Sequence, residues 1–183
     1  MSQKKTGSAS RKQSEKYLKN NKIVKKTSKK AGVKAGQSRV TVRNSPIHGR
    51  GVFAVGAIAK GTRIIEYTGE RMSHAEADRR YGDLHEGSSH TMLFAATDEV
   101  VIDATKRGGP ARWINHSCVP NCEANEEDGR VFIDAIRAIR TGQELLYDYN
   151  LVLDERHTPK LKREHPCHCG APRCRGTLLG SKR

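Results

Sequence analysis

The chain has 183 residues, enough for one domain of ordinary size plus a tail, and a formal net charge of +14. Hydrophobic residues make up 35% and aromatics only 5%, so a core can form only if the polar residues concentrate outside it. No stretch is apolar enough for a membrane span, and no apolar segment follows the N-terminal charges as a secretory signal requires.

The polar residues do concentrate. Residues 1–36 carry twelve Lys or Arg and one acid, Glu15, a net charge of about +11; the rest has 22 basic and 19 acidic residues, about +3. The apolar residues of this tail, Tyr17, Leu18, Ile23 and Val24, are too few for a core, and disorder is expected. Such a run serves as a solvated arm, or as an electrostatic arm in which each Lys meeting a phosphate releases a counterion. Nothing in it reads bases, so any DNA contact is expected to be nonspecific and salt-sensitive.

From Ser38 the pattern changes. Residues 39–42 alternate as a short strand, Asn44-Ser45-Pro46 is a turn, and residues 51–55 and 63–67 read as strands separated by Lys60-Gly61. A helix is expected from Ser73 to Leu84, with Ser73 as cap and Glu76 three residues on. Strand-like runs follow at residues 91–96, 100–103, 131–136 and 144–149, with polar, Gly-rich loops between. The domain is therefore mainly β with short helices and has no internal repeat. It also lacks the strand-Gly-x-Gly-x-x-Gly-helix unit of a dinucleotide site, so a nucleotide-like cofactor needs another architecture.

Four segments carry the chemistry. In His48-Gly49-Arg50-Gly51 the glycines let backbone approach a ligand closely. Asn115-His116-Ser117-Cys118-Val119-Pro120-Asn121-Cys122 packs an amide, an imidazole, a hydroxyl and two thiols around a proline. Glu144-Leu145-Leu146-Tyr147-Asp148-Tyr149 would pass alone for a half-buried strand. Cys167-His168-Cys169 followed by Cys174 completes five cysteines, all beyond residue 117, and clustered thiols suggest metal before disulfides in a reducing compartment.

These segments, in this order, with Glu66-Tyr67-Thr68-Gly69-Glu70 between the first and second, resemble the SET-domain lysine methyltransferases. The likeness covers roughly residues 38–180 and is closest to trithorax-type enzymes and to short bacterial SET proteins. It implies a fold of small, mostly antiparallel sheets with a pseudoknot-like site, a threading rare enough to be taken from the family alone. The implied organisation is a basic tail at 1–36, a catalytic domain at 37–150, a linker at 151–162 and a post-SET zinc segment at 163–180.

The resemblance further implies that His48, Gly49, Arg50, Gly51, Asn115, His116 and His168 line the pocket for the methyl donor S-adenosylmethionine. His116 fits a structural role as well as a chemical one, and is not read as a general base. Tyr149 is the expected catalytic residue, with Tyr67 as a channel wall, although each also fits a core aromatic with a polar tip. Tyr147 stands where relatives have Phe or Tyr, and its hydroxyl implies mono- or dimethylation. Structural zinc needs four soft ligands and the C-terminal segment has three thiols, Cys167, Cys169 and Cys174. The family implies Cys118 as the fourth. Cys122 competes but also suits the core, and His168 is a further candidate. Two departures stand out: Met92 where an aromatic is common, and Trp113 in place of Phe.

The expected activity is methyl transfer to lysine in a histone or histone-like basic protein. The alternative is a non-catalytic zinc-stabilised module held on chromatin or nucleoid by the tail. A monomer without membrane contact is expected inside the cell, in cytoplasm or nucleoid if bacterial and in the nucleus or on chromosomes if eukaryotic.

Overall fold

A computed structural model describes residues 38–81, 92–151, 153 and 156–180. The basic tail, the expected helix end at 82–84 and the expected strand start at Thr91 lie outside them.

Among the described residues, ten short strands and two short helices follow in chain order. Strands β1 (Val40–Asn44) and β2 (Arg50–Ala54) form an antiparallel pair, with Val40 opposite Ala54 and Asn44 opposite Arg50. Pairing thus runs through Asn44, which the sequence places in the turn. Ser45 still starts the turn, its hydroxyl accepting the Ile47 N–H at 3.0 Å.

A second sheet is built from β4 (Glu70–Ser73), β6 (Val100–Asp103) and β5 (Leu93–Ala95), in that order and antiparallel throughout. Helix α1 (His74–Tyr81) leaves β4 directly. Its start carries the expected cap, with the Glu76 N–H donating to Ser73 Oγ at 3.2 Å. Tyr81 fixes the other end by donating to Oδ2 of the buried Asp103 at 2.5 Å.

The five-stranded sheet has the order β3 (Arg63–Tyr67), β9 (Arg130–Ala135), β8 (Cys122–Glu127), β10 (Leu146–Tyr147), β7 (Asn115–His116). Strand β8 was not expected, because Cys-Glu-Ala-Asn-Glu-Glu looks polar. It forms because Asp128-Gly129, at φ of 52° and 73°, closes a two-residue hairpin onto β9. Buried Asn125 faces inward and donates to Asp134 Oδ2 at 2.9 Å.

At the other end β10 lies between β7 and β8 and runs parallel to both. Those two flanking strands are the ends of one continuous segment, so the chain from Asn115 to Cys122 wraps across β10. Asn121, fully buried, pins the crossing: its amide donates to the Glu144 carbonyl at 2.7 Å, and its Oδ1 accepts the Leu146 N–H at 2.8 Å. Of the expected strand at 144–149 only residues 146–147 lie in this sheet; Glu144 instead bridges Phe53 of β2, and the Leu145 N–H donates to Val52 O at 2.7 Å.

The main core joins all three sheets through Val52, Ile102, Ile114, Val131, Ile133, Leu145 and their neighbours. A 3-10 turn, Pro110–Trp113, leads from the second sheet to β7. Helix α2 (Pro159–Glu164) begins within the stretch expected as linker; Thr158 caps it by accepting the Leu161 N–H at 3.2 Å, and Pro159 opens it. Its Leu161 packs with Leu153 and Leu179 in a separate small core. Among the described residues no helix is long and apolar enough to cross a membrane.

Candidate active site and thiol cluster

The wrap around β10 brings the sequence motifs together. Asn115, at the head of β7, donates from Nδ2 to the carbonyls of His48 (3.2 Å) and Arg50 (2.9 Å) and to Glu144 Oε1 (2.9 Å). One side chain thereby ties the His48–Gly51 loop to the crossing and to the approach to β10. Gly49 takes φ of +47°, where a Cβ is disfavoured. Gly51 has a different reason to lack a side chain: the Glu144 carboxylate fills the place of a Cβ. The intimacy read as ligand approach is, at Gly51, an approach by the protein itself. The exposed Arg50 lays its guanidinium 5.1 Å from the Trp113 ring centroid, and Arg112 lies 4.9 Å from the same ring. The indole that replaces Phe here gives two cations an aromatic face.

Behind this loop runs a chain of rings. Tyr67 lies 5.1 Å from Phe94, Phe94 6.5 Å from Tyr147, Tyr147 4.9 Å from Tyr149 and Tyr149 5.3 Å from His116, centroid to centroid. Tyr67 and Tyr149 each satisfy their hydroxyl by donating to backbone, Tyr67 to Met92 O at 3.1 Å and Tyr149 to Ile114 O at 2.8 Å. Met92 gives Tyr67 a backbone carbonyl, which any residue in its place would supply, and its partly buried side chain packs against the main core. Burial raises the phenol pKa of Tyr67, Tyr147 and Tyr149, so all three stay protonated at neutral pH and serve as dipoles and donors.

His116 is held from two sides. Its Nδ1 accepts the Tyr149 N–H at 3.0 Å, which fixes the ring proton on Nε2, and Nε2 lies 3.4 Å from Cys118 Sγ. Burial pulls its pKa down to about 4 despite Asp148 nearby, with Arg175 adding to the fall. A neutral imidazole with Nδ1 already engaged is no general base at neutral pH, and the ring bridges the last motif to the thiols.

The thiols of Cys118, Cys167, Cys169 and Cys174 converge, with every sulfur within 4.8 Å of the others. Cys118 stands 3.7 Å from Cys167 and 3.9 Å from Cys174. Tetrahedral zinc with Zn–S bonds of about 2.3 Å requires sulfurs about 3.8 Å apart, so the set fits zinc in number, chemistry and spacing. Burial opposes ionisation of Cys169, but backbone N–H groups of Cys118 and Ala171 and the neighbouring thiols outweigh it and lower its pKa to about 6. Cys122 belongs elsewhere: it is fully buried in the main core, and burial pushes its thiol up to about 12. His168 is exposed between two of the clustered cysteines.

Four residues of the site were not singled out from sequence. Phe94 bridges Tyr67 to Tyr147, Glu144 anchors Asn115, and Asp148 and Arg175 form a bidentate ion pair. Glu144 and Asp148 sit inside the last motif, where the tyrosines drew attention; Phe94 and Arg175 carry no signal that spacing alone reveals.

This threaded β fold, with its ring-lined site and thiol cluster, defines a class of domain, and comparison with known families identifies it. Residues 49–150 match the SET domain family, and the chain belongs to it. It is 40% identical over 151 residues to a histone-lysine N-methyltransferase, H3 lysine-4 specific, of Schizosaccharomyces pombe, covering 80% of this chain and 16% of that protein. Against the protein of the same description from Kluyveromyces lactis, identity is 46% over 146 residues, 76% of this chain and 14% of the other. Human histone-lysine N-methyltransferase 2D is 39% identical over 144 residues, 76% of this chain and 2% of its own length. The chain thus spans about a sixth or less of these relatives.

Proposed function

We propose that this chain transfers a methyl group from S-adenosylmethionine to the Nζ of lysine in a histone, and that a histone H3 tail is its substrate class. The observation that carries the reading is the ring cluster of Tyr67, Tyr147 and Tyr149, with the Tyr67 and Tyr149 hydroxyls held by backbone acceptors, beside the loop that Asn115 ties down. The descriptions of the relatives supply the substrate class, and their eukaryotic origin favours nucleus and chromosome over a bacterial nucleoid.

S-adenosylmethionine supplies an electrophilic methyl on a sulfonium, and His48, Gly49, Arg50, Gly51, Asn115, His116 and His168 are the residues proposed to hold it. The rest of the chemistry falls to alignment and to the protonation state of the lysine. A lysine amine with an ordinary pKa near ~10.4 is almost wholly protonated at neutral pH and has no free lone pair. Walls of Tyr67, Phe94 and Tyr147 disfavour the ammonium form by desolvation. Tyr149, protonated and donating to Ile114 O, offers its remaining oxygen lone pair to orient the amine. Tyr147 narrows the same space and implies that the product stops at mono- or dimethyl-lysine. Zinc on Cys118, Cys167, Cys169 and Cys174 is proposed as a structural element joining the C-terminal segment to the crossing.

Incubating the chain with methyl-labelled S-adenosylmethionine and a panel of core histones, other basic proteins and H3 peptides tests this. Label on an H3 lysine, located by mass spectrometry, is the expected result. Label confined to non-histone proteins would overturn the substrate class and leave the reaction standing.

A further inference from the structure

The C-terminal segment meets the last tyrosine motif at one contact that zinc does not make. Asp148, between Tyr147 and Tyr149, receives both Nη1 and Nη2 of Arg175 at 2.6 Å. The rest of the guanidinium is used within its own segment, Nε donating to Thr177 O at 3.1 Å and Nη2 to Leu178 O at 3.3 Å. The Arg175 backbone N–H points at Cys118 Sγ at 3.5 Å. Asp148 is also held from its own stretch of chain, its Oδ1 accepting the Asn150 N–H at 2.8 Å.

We infer that the Asp148–Arg175 pair is a latch that sets the register of the cysteine-bearing segment on the tyrosine motif, making Arg175 a positioning residue for cofactor binding. Ordinary surface ion pairs contribute little, because solvent screens them and two long side chains lose freedom. This one differs in three respects. It is bidentate with both partners about two-thirds buried, at 28% and 31% side-chain exposure. Its arginine is held by two carbonyls before it reaches the carboxylate. Its carboxylate sits one residue from each of two tyrosines and beside the imidazole that contacts Cys118. The thiols and the backbone bridge between Leu151 and Leu179 fix where the segment is tethered; a planar fork against the Asp148 carboxylate fixes its angle at the tyrosines, which a lysine's single ammonium reproduces only in part.

The inference rests on the proposed functional reading for its kinetic and cofactor-affinity arms; the zinc-extraction arm does not depend on it. The test uses the zinc-loaded full chain with Arg175→Ala, Arg175→Lys, Asp148→Asn and the Asp148→Asn/Arg175→Ala double variant. Two quantities need no turnover: the rate at which a chelator extracts zinc, and the affinity for S-adenosylhomocysteine by calorimetry. Arg175→Ala is expected to keep its zinc in the absence of chelator, to lose zinc to chelator about tenfold faster and to bind S-adenosylhomocysteine about tenfold more weakly, the loss of a charge-assisted pair. In turnover the change should fall on the KM for S-adenosylmethionine and not on kcat. Arg175→Lys should recover part of each loss, and the double variant should be no worse than either single one. Extraction rate and affinity both within twofold of the parent in Arg175→Ala would overturn the latch, as would single-variant losses that multiply in the double. A parent chain that binds S-adenosylhomocysteine but methylates nothing would count against the functional reading, while the extraction rates would still decide the latch.

Discussion

Tyr147 is the residue whose chemistry makes the sharpest demand. It is buried with its ring 4.9 Å from that of Tyr149, and under the proposed reading its hydroxyl takes up space in which a methylated amine would turn. Tyr147→Phe removes that hydroxyl alone and should shift product toward higher methylation without abolishing turnover. About 1.4 kcal/mol between competing barriers is a tenfold change in rate, the order of one hydrogen bond. Time courses resolved by mass spectrometry read it; abundant trimethyl-lysine from the unmutated chain at low enzyme-to-substrate ratio would contradict it. Asn115 makes a second demand. Asn115→Ala leaves the Glu144 carboxylate and the His48 and Arg50 carbonyls without a shared donor, a loss of about 0.5–1.5 kcal/mol because these acceptors can turn to water. Thermal unfolding should show that drop, together with weaker cofactor binding. The tyrosines and Asn115 were legible in the sequence because motif and chemistry coincide there. Glu144 was not, because a carboxylate that braces another residue looks like any polar position in an alternating strand.

At the scale of elements, the two motif cysteines part company. Cys118 faces the three C-terminal thiols, whereas Cys122, on β8, opposes Ala135 of β9 and Tyr147 of β10 inside the core. Cys174→Ser should therefore release zinc and loosen the segment from residue 165 to 180, seen as a lost metal stoichiometry and faster hydrogen exchange there. Cys122→Ser should retain the metal and instead lose stability, by about 1–3 kcal/mol, through a hydroxyl buried in an apolar site. Metal loss in Cys122→Ser with retention in Cys174→Ser would reverse the assignment. The spacing of Cys167, Cys169 and Cys174 suggested a metal-binding set and the family resemblance implied Cys118 as its fourth member; the fold brings these four thiols together, since the wrap around β10 sends Cys118 and Cys122 in different directions. Strand β8 shows the converse failure. Its Glu and Asn residues masked an extended segment, although Asp128-Gly129 before the Val131–Ala135 run was a hairpin signal in plain view. Likewise Thr158-Pro159 was a legible helix start within a stretch read as linker.

For the whole molecule the charge divides sharply, about +11 in residues 1–36 against about +3 in the remainder. Deleting residues 1–36 should preserve methylation of a short peptide while weakening DNA binding and reducing its salt dependence, because few phosphate contacts remain to release counterions. Equally tight DNA binding by the truncated chain at moderate salt would place the polyanion surface elsewhere. The strand-rich character and the order of the motifs were legible from patterning. The threading was not, since parallel pairing of β10 with both ends of one segment leaves no periodic trace.

The central claim is that the rings around Tyr149 perform methyl transfer to lysine. Its most direct test is the parent chain and Tyr149→Phe side by side, each zinc-loaded, with S-adenosylmethionine and a histone H3 peptide, read by peptide mass spectrometry. A methyl group on lysine is expected with the parent. With Tyr149→Phe the rate should fall by about 10²-fold or more, the scale of losing one preorganised polar group, at unchanged cofactor affinity. Equal rates from the two proteins at saturating substrate, or no methylated lysine from a parent chain that binds cofactor, would contradict it.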